Sequence, residues 1–242
     1  MILFYIRHGD PIYNPDSLTP LGKRQAEAVG RRLATYGVDR IFTSPAERAK
    51  QTAVPLTELL KLEPQVLDWA HEDDAMRDLG LVDQEGRRRW LFELPEYRRL
   101  MVSPAVRAMG MNWQEEPTLS RAKFDRLRDG AEDFLAGLGY VHERENFRFR
   151  VERDNEERVA LFAHHGVGLA FLSIVLDIPY PHFVTHFNIE HSGMSVIRFD
   201  NFEGYAYPRL LQHSNDAHLY REGLPTRYRE DGRFGHNDWV KI

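Results

Sequence analysis

The chain contains no cysteine in 242 residues, which excludes disulfides, thiolate catalysis and cysteine-ligated zinc or iron-sulfur centres. It has no apolar run approaching the roughly 18 residues that cross a bilayer. The start, "MILFYIRHG", has no basic segment and meets a charge at Arg7. A soluble cytoplasmic protein with no membrane partner is the expectation. Positive charge is not in excess either, with 32 Lys and Arg against 37 Asp and Glu and a net charge of −5. No global field draws the chain to nucleic acid, so any anion must be held by a local site. No internal repeat or low-complexity tract is found.

What is present is enough apolar material, 42% hydrophobic and 12% aromatic, for one sizeable core. The expectation is a single domain over 1–242. Ile2 to Ile6 is an apolar run of strand length that delivers Arg7 and His8 into "GDPIYNPD", a loop by composition. "SLTPLGKRQAEAVGRRLATYG" then reads as a helix, with Leu21, Ala26, Val29, Leu33 and Tyr36 on one face. Thr19 is its N-cap, Pro20 follows at N1, and Gly37 is its stop. "VDRIFTS" reads as a second strand, and a second helix is expected to begin with the same cap-then-proline device at Ser44 and Pro45. This order predicts an α/β fold of three layers, with a mostly parallel central sheet between helices.

Residues from about 73 to 145 read as a helical insertion beside the sheet's functional edge, including "RRRWLFELPEYRRLM". "NFRFRVERD" alternates like a half-exposed strand, "RVALFAHHG" is a buried strand, "VGLAFLSIVLD" a helix, and "GMSVIRFD" and "YAYPRLLQHS" are further strands. Residues from about 221 to 242 are polar and turn-rich, as in a surface extension.

Two apolar strands thus end alike, one at Arg7-His8-Gly9 and the other at His164-His165-Gly166. In an open parallel sheet the carboxyl ends of strands share one edge, where ligands bind. Arg48, early in the second helix, reaches the same edge. Two guanidinium forks, with backbone N–H groups near Gly9 and Gly166, suit a phosphoryl group. Burying two arginines together without an anion is costly.

These residues resemble the histidine phosphatase superfamily, the phosphoglycerate mutase-like branch 1. The motifs that carry the resemblance are "RHG" at Arg7 to Gly9, "LTPLGKRQA" at Leu18 to Ala26 and "TSPAERAKQTA" at Thr43 to Ala53. "HG" at His165-Gly166 and "NDAHL" at Asn215 to Leu219 complete it. The resemblance implies that His8 attacks phosphorus and forms a phosphohistidine, with a carbonyl near Gly9 fixing its tautomer. It also implies that Arg7, Arg48 and His165 hold the phosphoryl oxygens and that Asn14 contacts phosphate or substrate. The acid that protonates the leaving group falls among Asp68, Glu72, Asp73 and Asp74, with Glu72 the best match. No metal or cofactor is demanded, since cationic side chains fill that role.

A phosphorylated small molecule is the expected partner, with a phosphoprotein as the alternative; oligomeric state is not legible. A metal-independent phosphatase is favoured over a mutase, because "AMRDLGLVDQEG" lacks the mutase-type "GLNK" segment. The third reading is a phospho-ligand binding module without turnover. Strand alternation places His164 on the face opposite His165, as a structural residue. His182, His186 and His191 lie in a Pro-interrupted stretch without metal-ligand register, His191 being a pocket-rim candidate. Asp216 and His218 read as structural, Arg87 to Arg89 as a solvated helix face, and Trp69, Trp90 and Trp113 as core or lid packing.

Overall fold

The computed structural model describes residues 1–226 apart from 84 and 121. The chain enters as β1 (Ile2–Arg7), makes a hairpin of β2 (Pro11–Tyr13) and β3 (Asp16–Leu18), and continues as α1 (Pro20–Tyr36), β4 (Arg40–Thr43), α2 (Glu47–Leu60) and β5 (Gln65–Val66). Helix α1 forms as its caps dictate: Thr19 Oγ1 accepts from the Gly22 N–H, Pro20 follows, and Gly37 ends the helix at φ 73°. Its buried stripe includes Ala26, Val29 and Leu33. The start of α2 differs from expectation. The helix begins at Glu47, with Ala46 as the residue before it, and Ser44 Oγ accepts from the Ala46 N–H ahead of the helix.

Next come α3 (Glu72–Leu79), a second hairpin of β6 (Gly80–Val82) and β7 (Arg88–Trp90), then α4 (Pro95–Met101), α5 (Pro104–Met109) and α6 (Phe124–Gly137). The stretch is helical apart from the hairpin, so Arg88 and Arg89 lie on a strand rather than a helix face. The hairpin forms because Asp83 closes its turn, accepting from the backbone of Glu85 and Arg87 and pairing with the Arg87 and Arg89 side chains.

Strands β8 (Tyr140–Glu143) and β9 (Arg148–Val151) lead to β10 (Arg158–Ala163), α7 (His165–Val175) and α8 (Tyr180–His186). Then follow β11 (Met194–Arg198), β12 (Asn201–Phe202), β13 (Tyr205–Ala206), β14 (Arg209–Asn215) and α9 (Ala217–Arg221). The expected C-terminal extension is thus helical at Arg221, and 227–242 lie outside the described residues. Among the described residues no helix is long and apolar enough to cross a membrane.

The main sheet has the order β14-β11-β1-β10-β4-β5; β1, β10, β4 and β5 run parallel and β11 and β14 antiparallel. A smaller sheet, β12-β13-β9-β8, lies apart from it in hydrogen bonding. Period-two alternation along β1 sends Leu3 and Tyr5 to one face and Phe4 and Ile6 to the other. Phe4 and Ile6 pack with Val29 and Leu33 of α1 and Ala53 and Leu56 of α2. Leu3 and Tyr5 face the larger core of Phe134, Phe171, Trp90 and Trp113. This is the three-layer α/β arrangement, and its parallel register puts Arg7 directly beside Ala163 at the sheet's carboxyl edge.

Candidate active site

At that edge β1 opens into the site. His8 is 3% exposed, and its backbone N–H continues the ladder to the Ala163 carbonyl at 2.9 Å. Its Nδ1 lies 2.7 Å from the Gly9 carbonyl. A carbonyl can only accept, so Nδ1 carries the proton and Nε2 keeps its lone pair. Burial, then the neighbouring His164 and Arg7, hold the His8 pKa well below the ordinary imidazole value despite the Gly9 hydrogen bond. The loop is locked against α1, since a Cβ on Gly9 would stand 2.6 Å from the Gly22 carbonyl oxygen.

Arg7 and Arg48 are 8% and 7% exposed. The Arg7 guanidinium donates from Nη1 to the Ile189 carbonyl at 2.7 Å and from Nη2 to His191 Nε2 at 2.8 Å. Arg48 donates from Nη1 to Asp16 Oδ1 at 2.9 Å, while its buried Nε has no partner among the described residues. Asp16 Oδ2 also accepts from the Glu47 N–H at 2.8 Å, so one carboxylate ties the first hairpin to the start of α2 and aims the Arg48 fork. The Tyr13 ring covers that guanidinium at 5.4 Å.

The histidine pair is placed differently from expectation. Strand β10 ends at Ala163, so the alternation argument stops one residue too early: His164 caps the following helix and His165 is its first residue. His164, fully buried, brings its ring centroid to 5.2 Å from that of His8. Its Nε2 lies 2.7 Å from Ser44 Oγ. Its Nδ1 is buried without a partner among the described residues. Burial, followed by Arg48, His71 and Arg7, lowers its pKa well below the ordinary range. The Tyr5 hydroxyl donates to the His164 carbonyl at 2.6 Å and accepts from its N–H at 3.1 Å, fixing the backbone.

His165 instead sets its ring edge-on to Phe92 at 5.6 Å and is hydrogen-bonded by Asn188, with burial and Arg7 lowering its pKa to about 3. Of the two histidines expected at this edge, it is His164 whose ring the fold sets against that of His8.

Glu72, the first residue of α3, sends its carboxylate to the N-terminus of α7, accepting from Gly166 N–H at 3.0 Å and Val167 N–H at 3.2 Å. Burial raises its pKa, outweighing those two hydrogen bonds and the charges of Arg48 and Arg7. Asp68 and Asp73 are exposed and Asp74 pairs with Arg77, so Glu72 is the carboxylate that the fold brings in. Gly166 is pressed by Trp90, whose ring carbons would lie 2.2 Å from an added Cβ. Asn14, by contrast, stands exposed at the turn of the first hairpin and is not drawn into the cluster.

The family model of the histidine phosphatase superfamily (branch 1) matches residues 3–207. The chain belongs to that superfamily. Fructose-2,6-bisphosphatase TIGAR of Xenopus tropicalis is 33% identical over 95 residues, 35% of this chain and 34% of that protein. The matching stretch spans less than half the length of each of the curated relatives it matches.

Among solved structures of this superfamily's fold, a mycobacterial glucosyl-3-phosphoglycerate phosphatase with inorganic phosphate aligns at TM-score 0.57 and 21% identity. The alignment covers 90% of this chain and 98% of that one. A phosphoserine phosphatase mutant from Entamoeba histolytica, in complex with phosphoserine, aligns at TM-score 0.58 and 16% identity, with 90% and 98% covered. At these identities the likeness is one of fold.

Sequence reasoning passed over Tyr5 and Asp16 and read Ser44 only as a helix cap, whereas Tyr5 holds the His164 backbone, Ser44 meets the His164 ring and Asp16 pairs with Arg48. None carries a motif of its own. His164 had a usable signal, since a strand that runs directly into a helix ends its alternation at the junction.

Proposed function

We propose that this chain is a phosphomonoester hydrolase that works through a phosphohistidine on His8. The observation that carries the reading is a buried, neutral His8 with its Nε2 lone pair directed away from the Gly9 carbonyl, next to the buried Arg7 and beside the His164 ring.

Nε2 attacks the phosphorus, and the P–N bond forms as the P–O bond to the leaving group breaks. Arg7 and Arg48 hold the phosphoryl oxygens whose charge must be carried during in-line transfer. His164 adds a third donor. Its Nε2 is engaged by Ser44 Oγ, and its Nδ1, without a partner among the described residues, donates to a phosphoryl oxygen in the tautomer that carries the proton there. Glu72, whose pKa burial raises, gives a proton to the departing oxygen. It then takes one from the water that attacks the phosphohistidine, which restores His8 and releases orthophosphate.

The substrate class is a phosphorylated small molecule, and the insertion that packs Trp90 and Phe92 against Gly166 and His165 shapes its outer contacts. Hydrolysis of p-nitrophenyl phosphate in EDTA tests the reading. Wild-type turnover that disappears in His8→Ala and in Arg48→Ala is expected; turnover that survives His8→Ala removes the proposed nucleophile. Transfer of phosphate to an alcohol acceptor instead of water would replace hydrolysis by the mutase-type reaction.

A further inference from the structure

Behind Arg7 and His8 lies the segment 189–193, which grips both residues from one side. The Gly193 carbonyl accepts from the Arg7 backbone N–H at 3.2 Å, and the Ser192 N–H donates to the His8 carbonyl at 3.1 Å. The Ile189 carbonyl and His191 Nε2 take the two Arg7 guanidinium donors. The segment is itself held rigidly. Ser192 is fully buried at φ 56°, a strained conformation for a non-glycine residue, and its hydroxyl meets His218 Nε2 at 3.0 Å. The Glu190 N–H donates to Ser214 Oγ at 2.8 Å. His218, read from sequence as structural, thus anchors the clamp rather than the substrate.

Within this clamp His191 has a defined protonation pattern. A nitrogen that accepts from a guanidinium must be unprotonated, so the Arg7 contact places the ring's single proton on Nδ1. Nδ1 faces Asp10 Oδ1 at 3.8 Å, and a carboxylate there favours that tautomer. Asp10 is fixed in turn, its N–H donating to Gln25 Oε1 and its Oδ2 accepting from Thr19 Oγ1, both at 2.7 Å. The helix cap of α1, Asp10, His191 and Arg7 therefore form one chain ending at the guanidinium. The His191 ring lies 5.5 Å from that of His8.

We propose that His191 is the positioning residue of the phosphate grip: as an Nε2 acceptor it fixes the Arg7 fork in the orientation that receives a phosphoryl group. Arg7 commits two of its five N–H donors to this segment, which sets the plane in which the guanidinium meets phosphate oxygens. This inference rests on the phosphatase reading above and adds to it the element that orients one of its two arginines.

The test compares His191→Ala, His191→Asn and His191→Gln with wild type. Asn places its carbonyl oxygen near the Nδ1 position, whereas Gln can reach the Nε2 position. A role in bulk or stability alone treats the two amides alike; an Nε2 acceptor does not. The expected result is a rise of about 10- to 100-fold in KM for p-nitrophenyl phosphate in the Ala and Asn variants, the range for losing a hydrogen bond to a charged group. The dissociation constant of orthophosphate, measured by calorimetry, should rise in parallel while kcat changes less. His191→Gln should stay near wild type.

Equal defects in Asn and Gln, or an unchanged orthophosphate affinity in His191→Ala, would overturn the proposal. If the Ala variant fails to fold by circular dichroism, the Asn and Gln pair decides. Calorimetry also separates the two claims: a wild type that binds orthophosphate without turning over sinks the phosphatase reading, while the variants' affinities still judge His191.

Discussion

Replacing Gly166 by Ala should damage stability and activity together, because the site leaves no volume for one methyl group. The added Cβ would lie 2.2 Å from both Cη2 and Cζ2 of Trp90, against the roughly 3.4 Å of ordinary contact between carbons. About 1.2 Å of relief must come from the indole or from the first turn of α7. The indole is 4% exposed and stacked on Phe92 at 5.7 Å and 12°, so moving it disturbs a packed core. Moving the helix instead stretches the Gly166 and Val167 hydrogen bonds to Glu72 from 3.0 and 3.2 Å beyond bonding range.

Overpacking of this kind costs about 1 to 3 kcal/mol. Urea unfolding should report a loss of that size, and kcat on an alkyl phosphate should fall with it because Glu72 loses its seat. In Gly166→Ala combined with Trp90→Ala the clash is gone, so kcat should recover relative to Gly166→Ala even though the indole's own packing is lost. A Gly166→Ala protein with wild-type unfolding midpoint and wild-type kcat would refute the packing argument.

The assignment of Glu72 as general acid predicts a dependence on the leaving group. Glu72→Gln should slow hydrolysis of an alkyl ester such as β-glycerophosphate by about 10²- to 10⁴-fold, the usual contribution of such a group, yet affect p-nitrophenyl phosphate far less, since its phenolate departs unaided. Equal losses on both esters would argue against proton transfer.

A separate prediction concerns pH. Burial pushes the His142 pKa down, but hydrogen bonds that its ring donates to Asp177 and Glu132, and their charges, lift it to about 9. A raised folded-state pKa stabilises fully below the unfolded value near 6.5, and that stabilisation disappears as pH rises through 9. Glu132 is the opposite case: burial raises its pKa, but His142 and Arg144 bring it to about 2, so its contribution is lost as pH falls from 4.5 toward 2. The difference in unfolding free energy between wild type and His142→Gln should therefore shrink by about 1 to 3 kcal/mol between pH 6.5 and 9.5. A difference that stays constant over that window would exclude the charged His142.

Much of the site could be read from the chain because the chemistry contradicts its context. Arg7 and His8 stand at the end of a run, Ile2 to Ile6, that otherwise belongs in a core, and the same contradiction marks the end of β10. The caps of α1 were equally legible, being local: Thr19, Pro20 and Gly37 interact within one turn. Errors arose where a local rule met a long-range partner. Ser44 reads as a helix cap, and nothing local shows that its hydroxyl also meets His164, 120 residues away.

His164 lies beside His8 where His165 was expected, because a periodicity was carried past the point where the backbone changes from strand to helix. Arg87 to Arg89 resembled a charged helix face, and only the pairing of Arg88 and Arg89 with Val82 and Leu81 places those two on a strand. The grip of residues 189–193 on Arg7 had no pattern to betray it, since backbone carbonyls hold no sequence signature.

The most direct test of the account is to trap the covalent species. Wild type mixed with a phosphomonoester, quenched in alkali within milliseconds and analysed by intact and peptide mass spectrometry, should carry one phosphoryl group on His8. That adduct should survive base and be lost in acid, as a phosphoramidate requires, and His8→Ala should accumulate none. A phosphoryl group on any other residue, or steady turnover with His8→Ala at the wild-type rate, would contradict the mechanism at its centre.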